Sequence, residues 1–128
     1  MDNKLLEYCE EIETTHTAFP DLQCRNIVGR AYYYTYHEAK YHLEERLGWE
    51  QTSEKGGVHA RLFSRLQGYE SQEQEEIKMK AELIYTKINA LKKLRTRADY
   101  KMESVISKEL ARFSIADAKR ISELLAEV

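Results

Sequence analysis

The 128-residue sequence predicts an all-α protein, five helices packed as an up-and-down bundle in a single domain spanning residues 1–128. Three observations lead there. Apolar residues recur in steps of three and four over long windows, the period that keeps one face of an α-helix against a core. The composition, 42% hydrophobic and 33% charged, is that of a folded helical domain and not of a disordered or collagen-like chain. Glycine and proline, 5 and 1 in number, stand mostly at the edges of the periodic segments, where they interrupt helices. A chain of this length buries roughly 65–70% of its unfolded surface in one core, so no second domain is required.

The first segment places Leu5, Leu6, Cys9 and Ile12 at helical spacing, with Asp2 or Asn3 to cap it and Glu10, Glu11 and Glu13 toward water. Pro20 breaks the chain near residues 17–21 and opens a second helix that runs from Asp21 to Leu47. Gly48 marks its end, and the following WEQTSEKGG has no period and reads as a loop. Val58, Leu62, Phe63 and Leu66 form a short third helix closed by Gly68. Ser71 with Gln74 reads as a capping box for a long fourth helix, whose Ile77, Ala81, Ile84, Ile88, Leu91 and Leu94 keep one apolar stripe over about five turns. Beyond Tyr100 the pattern loosens. Ser114 with Asp117 then reads as a second capping box, ahead of a fifth helix carrying Ile115, Ala118, Ile121, Leu124 and Leu125.

A net charge of −2 argues against a generally basic nucleic-acid coat, while leaving room for a local patch. Cys9 and Cys24 have neither the CxxC spacing of a metal or redox site nor the density of a disulfide scaffold, and are expected as reduced thiols. The start is charged from its second residue, and no apolar run reaches membrane length. A cytoplasmic protein without a membrane anchor is expected. No His, Cys or acidic set has metal-ligand spacing, and KGG lacks the context of a phosphate loop. Neither a metal nor a cofactor is predicted.

The second helix carries four tyrosines within five positions, 32, 33, 34 and 36. At about 100° per residue, Cys24, Val28, Ala31, Tyr32, Thr35, Tyr36, Ala39, Leu43 and Leu47 share one broad sector, the core face. The opposite sector holds Arg30, Tyr33, Tyr34, His37, Lys40, Tyr41 and Glu44. Arg30 and His37, seven apart, lie about 20° out of register and about 10 Å apart along the axis. This basic and aromatic stripe stands where a simple amphipathic helix carries Lys and Glu, and such a patch marks a helix interface or a ligand surface.

Lys87, Lys92, Lys93, Arg95, Arg97 and Lys101 gather toward the end of the fourth helix, and Glu70, Glu73, Glu75 and Glu76 near its start. Complementation of the helix dipole accounts for that polarity; if RNA binds, Arg95 and Arg97 are the backbone contacts. Asp99 is expected to pair with a nearby arginine and Tyr100 to seal the bundle. His42 is expected as a hydrogen-bonded interior residue. His59, just after two glycines, either caps the third helix or joins the groove.

GRAYYYTYHEAKYHLEERLG, followed by GGVHARLF and later LRTRADY, resembles the HEPN domain family (higher eukaryote and prokaryote nucleotide-binding domain) in the order and spacing of three blocks across most of the chain. Many members carry an arginine and a histidine with four to six residues between them and act, usually as dimers, as metal-independent endoribonucleases in toxin–antitoxin and phage-defence systems. The resemblance implies Arg30 and His37 as the catalytic pair. Arg30 would hold the scissile phosphate and His37 would serve the 2′-hydroxyl or the leaving oxygen. Tyr33, Tyr34, Tyr41, Arg95 and Arg97 would line the RNA groove. The implied partners are a second copy, RNA, and an antitoxin or nucleotidyltransferase. The alternative is a non-catalytic binding or assembly module that partners a nucleotidyltransferase or other effector through the same stripe.

Overall fold

The computed structural model describes residues 3–68 and 74–128, and its regular elements are all helical. Five α-helices follow one another: α1 (Lys4–Glu13), α2 (Pro20–Lys40), α3 (Val58–Phe63), α4 (Glu75–Tyr100) and α5 (Lys108–Glu127). A π-helical turn, Tyr41–Arg46, extends α2, and a 3₁₀ turn, Ser64–Gln67, extends α3. Pro20 occupies the first turn of α2, where its missing N–H costs nothing. Gly48, at φ 62°, takes the left-handed conformation that releases the chain from the π turn.

α2 lies at the centre, packed against α1, α4 and α5. Its Ala31, Thr35 and Ala39 are fully buried and let its neighbours approach closely. The predicted α4 stripe forms the facing wall: Ala81, Ile84, Ile88, Leu91 and Leu94 are buried, with Ala98 continuing it. Ala118, Ile121, Leu124 and Leu125 of α5 complete this core, and Phe63 with Leu66 closes one end. A second cluster, around Cys9, Ile27, Val28, Ile106 and Ala111, fills the other end. Both thiols are buried and unpaired, and burial pushes Cys9 up to about 11.

Two expected helix starts differ. α5 begins at Lys108, ahead of Ser114, and its N-cap is Ser107, whose Oγ accepts from Leu110 N at 3.1 Å. Ser114 and Asp117 lie inside the helix and are buried. Ser114 Oγ donates to the Ala111 carbonyl at 2.6 Å, and Asp117 takes Lys87 Nζ of α4 at 3.1 Å. Their Ser-x-x-Asp spacing imitates a box because two polar side chains satisfied inside the bundle look like surface ones in sequence. α4 begins at Glu75 with Gln74 as N-cap, whose side chain does not cap the helix; Ser71 lies outside the described residues. Asn3 likewise makes no capping bond, and Glu10 and Glu13 of α1 pair with Lys119 and Arg112 of α5.

α4 is fastened to α2 by Arg25, which is only 5% exposed. Its Nη1 donates to the carbonyls of Arg97, Ala98 and Lys101 at 3.0–3.2 Å, and its Nη2 to those of Met102, at 3.2 Å, and Ser104. Nε donates to Asp21 Oδ2 one turn back, at 2.8 Å. The carbonyls at a helix C-terminus have no intrahelical partner, and one guanidinium here satisfies several of them. At the far end, Arg46 Nη2 similarly donates to the Leu125 carbonyl of α5 at 2.8 Å.

Arg25→Ala is therefore expected to lower the unfolding free energy by about 3–5 kcal/mol in urea titrations, the range for removing one member of a buried charged network. Arg25→Lys should recover only part of it, because one ammonium cannot span those carbonyls. A loss below about 1 kcal/mol would show that the lock contributes little.

Candidate phosphate-binding cleft

The lock brings the last turns of α4 against the middle of α2, with α3 closing one side. The space between is an open cleft of about 500 Å³. Arg30 and Tyr33 stand on its α2 rim, both exposed, and Tyr32 and Tyr36 form its floor. From α4, Arg95 and Asp99 enter, paired at 2.9 Å as their i, i+4 spacing predicts. The Arg95 guanidinium lies 5.4 Å from the Tyr32 ring centre and 5.8 Å from that of Tyr100, within cation–π range. Gly29 marks how near the helices come, since a Cβ there would sit 3.6 Å from Asp99 Oδ1.

His59 joins this cleft and makes no capping bond for α3. Its ring stacks on Tyr36 at 4.1 Å and an 18° interplanar angle, and its Nδ1 lies 2.6 Å from the Tyr32 hydroxyl. Burial pushes the imidazole below its ordinary 6.5, helped by the positive fields of Arg95 and Lys92 and by His37. Burial also pushes the Tyr32 phenol up, with Arg95 opposing.

The lining contains three arginines, Arg25, Arg30 and Arg95, against one acid, Asp99. Arg25 is engaged by Asp21 and the α4 carbonyls, which leaves to a ligand Arg30 and the terminal nitrogens of Arg95, whose Nε is taken by Asp99. Two guanidinium forks on facing helices, with tyrosine faces between them, suit a phosphate flanked by a planar group. Among the described residues no group of three or more His, Cys, Asp or Glu side chains is placed to hold a metal ion.

The predicted residues divide. Arg30, Tyr33 and Arg95 line the cleft. His37 is half-buried just beyond it, its ring 4.3 Å from Tyr33 and 5.3 Å from Tyr36. Tyr41 is exposed on the π turn, with its ring against His42. Tyr34 is not on the exposed stripe: it is 3% exposed, and its hydroxyl bonds Glu38 at 3.2 Å and Ser122 of α5 at 3.1 Å. A tyrosine with satisfied oxygen packs in a core as readily as a leucine, which a two-sector reading of α2 misses.

Arg97 faces away from Arg95. Its Nε donates to Ser104 Oγ at 3.0 Å and its Nη2 to the Val105 carbonyl at 3.3 Å, and it borders a separate concavity with Lys92, Lys93 and Lys101. Tyr100, expected as a seal, is exposed. His42 is half-buried, not interior, and accepts from Arg46 Nε at 2.8 Å. Arg25 and Tyr36 also belong to the cleft, and helical spacing alone does not point to either as a site residue. Arg25 does leave a trace in sequence, an arginine beside the core positions Cys24 and Val28 with Asp21 one turn back.

Comparison with protein-family models, with curated proteins and with solved structures yields no match to this chain. Among the described residues no helix is long and apolar enough to cross a membrane.

The depressed His59 and His42 make stability depend on pH. Each binds its proton less readily folded than unfolded, so between the two values the unfolded chain carries more protons and stability rises with pH. Unfolding free energy should be full above the unfolded value of 6.5 and fall as pH drops below it. Urea titrations from about pH 7.5 to about pH 5 check this. His42→Gln with His59→Gln should flatten the slope, and an unchanged slope refutes the assignment.

Proposed function

We propose that this chain is a HEPN-type RNA-interacting protein, acting as a metal-independent endoribonuclease of the toxin–antitoxin or phage-defence kind, in the cytoplasm and as a homodimer. The observation that carries the proposal is the convergence of Arg30 and Arg95, from two different helices, on one open cleft walled by tyrosines. Phosphodiesters supply the anion, and single-stranded bases supply planar groups to stack.

Arg30 holds the scissile phosphate. His37 stands two turns along the same helix, about 10 Å away, too far for both to grip one phosphate within a subunit. A second copy related by a two-fold axis brings its His37 to the phosphate held by the first. The imidazole takes the proton of the 2′-hydroxyl as the 2′-oxygen bonds to phosphorus. The bond to the 5′-oxygen breaks, that oxygen takes a proton from water, and the products are a 2′,3′-cyclic phosphate and a 5′-hydroxyl end.

One observation favours a second reading, a non-catalytic module: the His37 ring packs on Tyr33 and Tyr36 and does not line the cleft. In that case the cleft binds RNA without cutting it, and a nucleotidyltransferase or other effector acts beside it.

Incubating the purified protein in EDTA with single-stranded and structured RNA separates the two. The enzyme reading expects cleavage with cyclic-phosphate ends, reduced about 10²–10⁴-fold by His37→Ala and likewise lost in Arg30→Ala. Binding without cleavage, weakened by Arg30→Ala and indifferent to His37→Ala, supports the module and overturns the nuclease.

A further inference from the structure

Cleavage by Arg30 and His37 leaves the His59 imidazole unused, although it lines the cleft and its ring is held by aromatic neighbours. Tyr36 covers one face at 4.1 Å, Tyr32 lies 5.6 Å away, and Phe63 meets it at 6.3 Å. With Nδ1 on the Tyr32 hydroxyl, the ring's other nitrogen, Nε2, is the one left for a ligand.

The proton in the Tyr32–His59 bond has one favourable position. Tyr32 is 2% exposed, and among the described residues its hydroxyl's hydrogen-bond partner is His59 Nδ1. If Nδ1 carried the hydrogen and donated it, the phenolic hydrogen would have no acceptor among the described residues, which is the costlier arrangement. Tyr32 therefore donates, Nδ1 accepts, and the hydrogen of the neutral ring sits on Nε2.

We propose that the Nε2–H of His59 is a fixed hydrogen-bond donor to a phosphate oxygen in the cleft, completing with Arg30 and Arg95 a phosphate site contained within one subunit. The proposal deepens the phosphodiester reading and rests on it for the class of ligand. The surroundings favour the neutral ring: burial disfavours its protonated form, and Arg95, Lys92 and His37 add to this. The other groups facing it are Tyr32 and Tyr36 of α2, while Arg25, Arg30 and Asp99 share its cleft. His59 thus contributes direction without charge, and it neither gains nor loses a proton. A donor fixed in advance is most valuable to an oxygen whose negative charge grows in the transition state.

Long-range ¹H–¹⁵N spectra of the wild-type protein at neutral pH, titrated with inorganic phosphate, test the proposal directly. Expected are an unprotonated Nδ1, a protonated Nε2, and a His59 Nε2 signal that moves as phosphate binds. The opposite tautomer, an imidazolium, or a His59 signal indifferent to phosphate overturns it. Binding of a short oligouridylate in EDTA gives the second arm. His59→Ala should weaken it about tenfold, and His59→Gln, whose amide places an N–H near Nε2, should recover most of that loss. Equal loss in both variants, with both folded by circular dichroism, counts against the donor. If phosphate moves His59 but RNA is never cut, the donor stands and the nuclease falls. If RNA is cut at the wild-type rate by His59→Ala, the nuclease stands and the donor falls.

Discussion

The guanidinium of Arg25 sets the geometry on which the cleft depends. Burying an arginine is expensive unless its donors are filled, and here the carbonyls that end α4 and begin the next loop fill them, with Asp21 supplying the counter-charge. The same bonds that satisfy Arg25 fix the last turns of α4 against α2. Arg95 and Asp99 consequently face Arg30 across a gap narrow enough that Asp99 lies beside Gly29. One arginine is committed to structure, and two others line the cleft, Arg95 with its Nε on Asp99.

Charge is distributed with the same economy. The whole chain carries −2, yet the cleft lining has a surplus of arginine over acid. A local positive field of this kind attracts anions without making the surface generally sticky to polyanions. The tyrosines add area that stacks and little conformational entropy to lose. A second basic concavity, around Lys92, Lys93, Arg97 and Lys101, lies apart from these rings, and its arginine is partly spent on holding the loop to Val105.

Local period is the part of this fold that is legible in the sequence. The α4 stripe from Ala81 to Leu94 appears residue for residue in the core, because an uninterrupted 3.6 repeat leaves no choice of face. The start of α5 is not legible that way, since the polar groups of Ser114 and Asp117 are satisfied by partners, one of them Lys87 on another helix. Period places Tyr34 on the wrong face for the same reason, its hydroxyl being met by Ser122, 88 positions away. Arg30, Tyr33 and Arg95 are recognisable as chemistry from residue type and spacing. Their meeting with His59 is not, because it depends on where a short helix after a loop docks. The π turn at Tyr41–Arg46 is indistinguishable from ordinary helix in sequence; it carries Leu43 into the core and Arg46 onto the end of α5, and both partners are tertiary.

The claim that the α2–α4 cleft is the anion site is tested most directly by arginine side-chain Nε–H spectra recorded while a short single-stranded RNA is added. The signals of Arg30 and Arg95 should move together at the same RNA concentration, with those of Arg25 and Arg97 nearly still. Movement of Arg97 with Arg30 and Arg95 unchanged would place the nucleic acid on the other face of α4 and contradict the cleft as its site.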